Sequence, residues 1–118
     1  MIRIFLSENN DRVEEESILR GCRTDVLVEI DGAYYAPYVT TLERLYQEVT
    51  DAFAKGVAYD TDPCQIIVRT SDKDNIIQSI LFLYDEGYFD AFVPIDLTKT
   101  YQHTFPHLSR IENWDRIY

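Results

Sequence analysis

The stretch Asp25-Val-Leu-Val-Glu-Ile-Asp-Gly-Ala-Tyr-Tyr-Ala36 decides the fold class of this chain, because it holds two β-prone runs joined by Asp31-Gly32. A two-residue type I′ turn needs positive φ at both central positions, which Asp-Gly tolerates well. Pro37 follows the second run and has no N–H to donate to a ladder. The sequence therefore predicts a β-hairpin whose second arm ends at Pro37 or lies at a sheet edge. Three apolar residues alternate onto one face of the first arm: Val26, Val28 and Ile30.

The segment before the hairpin contains one clear strand and one stretch that the pattern leaves open. Ile2–Leu6 is β-rich and predicts a first strand, and the polar residues after it predict a turn or loop. Residues 12–19 include three successive glutamates and suit either a short helix or a polar strand. We expect extended structure that pairs with the next strand, ended in either case by Gly21.

A first helix is predicted after the hairpin. Thr40 can cap the free backbone amides while Glu43 reaches back, which is the capping-box arrangement. Gly56 can adopt the left-handed conformation that ends a helix. Six apolar residues share one stripe at helical spacing and are expected to face the sheet: Leu42, Leu45, Tyr46, Val49, Ala52 and Phe53.

A strand and a second helix come next. Residues 65–70 contain an apolar run that is typical of a central strand buried on both faces. Ser71 is placed to cap the second helix, with Asp74 at its third position, and Gly87 ends it. The apolar stripe of this helix is broad, so we expect it to be the more buried of the two: Ile76, Ile77, Ile80, Leu81 and Tyr84.

The C-terminal part predicts one more strand and a tail. Residues 88–95 alternate apolar and polar side chains as a strand does, with Pro94 at its end or edge. In the tail, residues 96–118, Pro106 is suited to begin a short helix that runs to Trp114.

Taken together, the elements predict a single α+β domain over residues 1–118. The expected architecture is a two-layer sandwich, with a mixed sheet of four to six strands and two main helices packed on one face. The alternative is a small α/β arrangement, in which the later strand–helix–strand piece forms a right-handed parallel crossover.

Charge is the most unusual property of the composition. The chain of 118 residues has 21 acidic and 11 basic residues, for a net charge of −10. Such a surface repels DNA, RNA and anionic membranes and attracts basic proteins, although acidity can also serve solubility alone.

The chain has two cysteines, no hydrophobic run long enough for a signal peptide core and none that would span a membrane, so a cytoplasmic protein with reduced thiols is expected.

The sequence contains no recognisable catalytic motif. It has no Gly-x-Ser-x-Gly, no glycine-rich phosphate loop and no zinc spacing. His103 and His107 have the spacing of a helical metal pair, but Pro106 between them removes a helix hydrogen bond. Asp60 and Asp62 resemble paired carboxylates, yet an aspartate before proline more commonly forms a turn. We therefore expect no metal, no cofactor, no catalytic residue and no enzymatic activity.

Two clusters that combine acids with tyrosines are the candidate binding residues. Acids provide steering and charge-assisted bonds to Arg or Lys of a partner, while tyrosines provide rigid contact area. Asp85 and Glu86 fall at the end of the second predicted helix, where the helix dipole disfavours negative charge. The candidate residues are Tyr59, Asp60 and Asp62 in the first cluster and Tyr84, Asp85, Glu86, Tyr88 and Asp90 in the second.

These features favour a module that binds a basic protein, as bacterial immunity proteins and antitoxins do when they neutralise a cationic nuclease-like toxin. The alternative hypothesis is a structural or regulatory subunit that associates with itself, for example as a homodimer. A third hypothesis is an enzyme of unfamiliar type that uses Asp60, Asp62 or His103.

Overall fold

The fold combines three α-helices with two β-sheets in the part of the chain that the computed structural model describes, residues 1–96 and 112–118. This confirms the α+β class. The elements in chain order are β1 (Ile2–Leu6), α1 (Asp11–Arg20), β2 (Cys22–Arg23), β3 (Val26–Ile30), β4 (Ala33–Tyr35), β5 (Tyr38–Thr41), α2 (Leu42–Ala54), β6 (Gln65–Val68), α3 (Lys73–Asp85), a 3-10 turn (Tyr88–Ala91) and β7 (Asp115–Arg116).

The predicted hairpin forms one side of the first sheet, with β3 inside it and β4 at its edge. Asp31 and Gly32 connect β3 to β4 with φ values of 48° and 84°, as the type I′ turn requires. The strand order is β4-β3-β1-β7 with antiparallel neighbours throughout. β4 ends before Pro37 and lies at an edge, so both parts of that prediction are confirmed.

The remaining strands form a second sheet, so the prediction of one mixed sheet is wrong. Its order is β2-β5-β6, with β5 antiparallel to β2 and parallel to β6. The parallel crossover is β5-α2-β6, earlier in the chain than the alternative prediction placed it. β2 and β5 are too short to carry a recognisable apolar alternation, which explains why the sequence did not reveal them.

β6 lies at the edge of the second sheet, not at its centre. Ile66 and Val68 are buried, but Ile67 is exposed. A short apolar run identifies a strand without showing whether a neighbouring element covers its second face. The prediction of burial on both faces is therefore wrong.

Residues 11–20 form a helix, and the expectation of extended structure there is wrong. The Asn10 side chain accepts a hydrogen bond from the Val13 amide at 3.0 Å, and Asp11 lies in the first turn. Gly21 ends α1 with φ of 71°, as predicted. Local capping therefore decided a segment whose apolar pattern did not.

In each of the two later helices the capping residue is one position after the predicted cap. Thr41 and Asp72 are the capping residues, accepting hydrogen bonds from the amides of Arg44 and Asn75. The predicted caps make buried tertiary contacts instead. Thr40 Oγ1 donates to the Gly21 carbonyl at 3.4 Å, and Ser71 Oγ donates to the Ser17 carbonyl at 2.8 Å.

α3 is the most buried of the three helices, and α2 is the least. Ile76 and Ile80 of α3 are fully buried against residues of both sheets, which confirms the predicted stripe. No residue of α2 is buried, and Leu42, Tyr46 and Phe53 are exposed. The expectation that the α2 stripe packs against the sheet is wrong for these three side chains.

The predicted last strand, residues 88–95, is also wrong. Its first half is the 3-10 turn, and only Ile95 forms a bridge, with Tyr34. Gly87 with φ of 78° ends α3 and turns the chain too sharply for the strand to begin.

His103, His107 and the predicted helix start at Pro106 lie outside the described residues. Among the described helices, none combines the length and the apolar character that crossing a bilayer requires.

Candidate functional site

The first acid–tyrosine cluster lies in the loop between α2 and β6. Tyr59 Oη donates to Glu48 Oε2 at 2.8 Å and accepts from Gln65 Nε2 at 3.4 Å. Asp60 and Asp62 are exposed. The tyrosine thus fixes the loop to α2 on one side and to β6 on the other, while the two carboxylates face solvent.

Glu48 organises the polar contacts beneath this loop. Its Oε1 accepts from Tyr38 Oη at 2.6 Å and from Arg44 Nε at 3.0 Å. Burial alone would raise the pKa of Glu48, but hydrogen bonds from Tyr38, Arg44 and Tyr59 bring it below its ordinary value. Burial, and next the bond to Glu48, raises the pKa of Tyr38. Glu48 is therefore charged, and Tyr38 and Tyr59 are neutral, at physiological pH.

The second cluster surrounds the C-terminal end of α3. Tyr84 is half-buried and packs against the core. Asp85 is the last residue of α3 and Glu86 is its C-cap. Both are exposed, as is Asp90, and none of the three pairs with a cation among the described residues. The carboxylates of Asp85 and Glu86 lie where the helix dipole is negative, as the sequence predicted.

Gln65 is the residue at which the two clusters meet. Tyr88 Oη donates to the Gln65 carbonyl oxygen at 2.8 Å, while Tyr59 contacts the side chain of the same residue. The ring of Tyr88 also lies 4.9 Å from that of Phe92 and 5.3 Å from that of Phe89, measured between centroids. The structure thus brings together one tyrosine of each cluster, Tyr59 and Tyr88, at the first residue of β6. Tyr84 has no hydrogen bond to this junction, and the exposed acids do not bond to one another.

A cavity of about 1000 Å³ opens beside this junction. Asp62 of the first cluster and Phe92, which follows the second, both line it. Tyr35, Tyr38 and the two cysteines contribute to the same wall. The cavity therefore adjoins the first cluster and the segment that follows the second, and its lining is largely aromatic and aliphatic.

The Cys64 thiol in this cavity is expected to react slowly. Burial raises the pKa of the Cys64 thiol to about 11 from an ordinary 9.0, so very little thiolate is present near neutral pH. At pH 8 we expect iodoacetamide to modify Cys64 at least about tenfold more slowly in the native protein than in urea, since the thiolate fraction falls tenfold for each unit of pKa. Peptide mapping by mass spectrometry follows Cys64 separately from Cys22. Equal rates in the two states would contradict this burial.

Sequence reasoning missed Glu48 and Gln65, the residues that hold the site together. Glu48 belongs neither to the predicted apolar stripe of α2 nor to an acid–tyrosine cluster, and Gln65 is predicted only as the start of a strand. Apart from Arg44, which is one helical turn from Glu48, their hydrogen-bond partners are 6 to 23 residues away in the chain. No local pattern connects residues at such separations, so sequence alone offered no signal for either role.

The described residues contain no cluster of three or more His, Cys, Asp or Glu side chains arranged to hold a metal ion. Comparison with known proteins found no matching family model, no matching curated protein and no matching solved structure. Any functional assignment therefore depends on the surface and the site described above.

Proposed function

We propose that this chain is an acidic module that neutralises a basic protein by direct binding, as an immunity protein or antitoxin does to a cationic nuclease-like toxin in the cytoplasm. The observation that carries the proposal is the convergence of one tyrosine from each acid–tyrosine cluster, Tyr59 and Tyr88, on Gln65. Tyr59 and Tyr88 are held there by hydrogen bonds of 3.4 and 2.8 Å. Surfaces fixed in this way lose little side-chain entropy when a partner binds.

The acids at the end of α3 supply the second argument. A carboxylate at a helix C-terminus costs about 0.3–1 kcal/mol relative to a cation at the same place. Asp85 and Glu86 carry this cost without a cation to offset it among the described residues. Arginine or lysine side chains of a partner would supply the missing charge, and electrostatic attraction would accelerate association.

Reversing the two charges at the end of α3 tests the proposal. The variant Asp85→Lys with Glu86→Lys is expected to lose capture of the basic partner from a lysate of the source cells, with at least about tenfold lower yield at low salt. Glu15→Lys with Glu16→Lys on α1 makes the same change in net charge on another exposed surface. This control should retain capture, and quantitative mass spectrometry of the bound proteins measures both.

Two results would count against the proposal: equal capture by both variants, or capture of no cationic protein by the wild type. Unfolding of the double lysine variant is not expected to explain a loss of capture. Lysines at positions 85 and 86 agree with the helix dipole, so this variant should unfold at the same urea concentration as the wild type or a higher one.

Self-association is a second candidate function, and it is favoured by β6, which pairs with one strand only, β5, in the described part of the chain. An uncovered edge strand presents unpaired N–H and C=O groups that a second copy can extend. Light scattering of the purified protein discriminates between the two candidates. A tight homodimer would favour self-association, whereas a monomer would favour the binding module.

A further inference from the structure

The outer face of the second sheet is only partly covered. Tyr38 and Thr40 of β5 share one face because strand side chains alternate, and Tyr38 Oη bonds to Glu48 of α2 on that face. Thr40 is the register partner of Ile67, so Ile67 points to the same side as α2. Ile67 is nevertheless 54% exposed. α2 therefore covers β5, Tyr59 contacts Gln65 at the start of β6, and Ile67 is left exposed.

Simple dimensions explain this gap. Neighbouring strands lie about 4.8 Å apart, so three of them need a layer roughly 14 Å wide. One helix with its side chains is about 10 Å across and covers about two strands. The sheet has three strands, with α2 over β5 on this face and α3 against the opposite face. There is room beside α2, over β6, for a second helix.

The side of α2 that faces away from β2 is apolar and exposed as well, since Arg44, on the opposite side of the helix, contacts Arg20 and Gly21 just before β2. Leu42, Tyr46 and Phe53 are 67%, 72% and 65% exposed. At about 100° per residue they fall within roughly 40° of one another around the helix axis, which makes one continuous line. Val57, just beyond the end of α2, is exposed as well. A line of large apolar side chains on a soluble surface is a mark of an interaction site.

The charges around this surface indicate the chemistry of its partner. Three exposed acids lie on the elements that form it, Glu43 on α2 and Asp60 and Asp62 in the loop between α2 and β6, against two exposed bases, Lys55 and Arg69. A second copy of this chain would bring the same excess of acid, in addition to its overall charge of −10. A helix with basic residues beside an apolar face would complement it.

We propose that α2 and β6 together form a docking groove for an amphipathic helix of a partner protein, apolar on one face and bordered by Lys and Arg. The partner helix lies beside α2 and covers Ile67. Since α2 has 13 residues, a helix of about four turns matches the length of the groove. This inference rests on the proposed function in one respect, that the partner is basic, and it locates the apolar centre of the contact.

A labelled peptide tests the groove directly. The probe is a fluorescein-labelled peptide of leucine and lysine, about 14 residues long, patterned to place all leucines on one helical face. Its control is a scrambled peptide with the same composition and no apolar face. We expect fluorescence anisotropy to show at least about fivefold weaker binding of the patterned peptide to Phe53→Ser, because buried aromatic contacts dominate interface energies.

Phe82→Ser is the matched protein control. Phe82 is 64% exposed on α3, against 65% for Phe53 on α2, and α3 packs against the opposite face of the sheet. Binding to this variant should stay within about twofold of the wild type. Equal losses in the two variants, or equal binding of the scrambled peptide, would overturn the proposal. A wild-type dimer in light scattering that Phe53→Ser dissociates would also overturn it, since the occupant would then be a second copy.

Capture of the native partner separates this inference from the proposed function. If Phe53→Ser retains the partner while the lysine variant at positions 85 and 86 loses it, the groove proposal fails and the proposed function stands. If the lysine variant retains the partner, the proposed function fails whatever the peptide does. Loss in both variants, with retention in Phe82→Ser, supports both.

Discussion

Replacing Arg23 by alanine is expected to lower the free energy of unfolding by about 3–5 kcal/mol, the range for removing one partner of a buried ion pair. Arg23 is 1% exposed and is the largest fully buried side chain among the described residues. Its Nη1 lies 2.9 Å from Glu14 Oε2 and its Nε lies 2.8 Å from Asp25 Oδ1. Its Nη2 also donates to the Glu8 carbonyl. The substitution would leave two carboxylates without their cation and a void in the core.

Urea unfolding followed by circular dichroism measures this effect, with Arg12→Ala as the control. Arg12 pairs with Glu16 on the surface at 3.6 Å and is 76% exposed, so its loss should change stability by about 0.5 kcal/mol or less. Arg23→Met separates charge from packing because it refills most of the space without the charge. A loss below about 1 kcal/mol in Arg23→Ala would show that the ion pairs are not structural.

The same substitution should change how stability depends on pH. Burial alone would raise the pKa of Asp25, but the hydrogen bond and charge of Arg23, with bonds from the Glu8 amide and the Ser7 hydroxyl, bring it below 3.8. A lowered folded-state pKa contributes stability above the unfolded value that is lost as the pH falls through the folded value. The difference in stability between wild type and Arg23→Ala should therefore widen as the pH rises from about 3 to 5.

Replacing Gly21 by alanine is expected to destabilise the protein by about 2–5 kcal/mol, from left-handed strain together with overpacking. Gly21 has φ of +71°, and a Cβ there would lie 2.7 Å from Thr41 Oγ1 and 3.2 Å from the Cβ of Arg44. Thr41 is the cap of α2, so the clash also disturbs the start of that helix. At Gly21 the end of α1 and the start of α2 therefore approach so closely that they leave no space for a Cβ.

Gly32→Ala provides the control, because Gly32 has φ of +84° and a Cβ added there would meet no atom within 4 Å. It should show the backbone strain alone, about 1–2 kcal/mol. Thermal and urea unfolding compare the two variants. In the double variant Gly21→Ala with Thr41→Ala, the closest clash is removed, so the total loss should be smaller than the sum of the single losses. Equal effects of the two glycine substitutions would contradict the close approach at Gly21.

For the candidate site, the sequence identified the exposed acids and the helix end on which two of them lie. Asp85 and Glu86 were recognised because Gly87 marks a helix stop and the dipole rule concerns neighbouring residues only. The junction at Gln65 could not be predicted in this way. Tyr88 reaches its carbonyl from 23 residues away, and no rule of spacing links them.

What the sequence by itself determined are the features that depend on a few adjacent residues. The hairpin at Asp31-Gly32, the glycine helix stops and the buried stripe of α3 follow from backbone sterics and from a strong periodic pattern. The cap of α1 at Asn10 is also a local feature, but the apolar pattern of this segment is too weak to distinguish a helix from a strand.

Only the tertiary structure decided which apolar surfaces are covered and which polar groups find distant partners. Ile67 looks like a core residue in sequence, yet one helix is too narrow to cover three strands, and β6 is left at the edge. Arg23 looks like a surface residue, yet Glu14 and Asp25 neutralise it inside the protein. Burial and pairing are properties of the packed layers, whose widths and contacts are set by residues far apart in the chain.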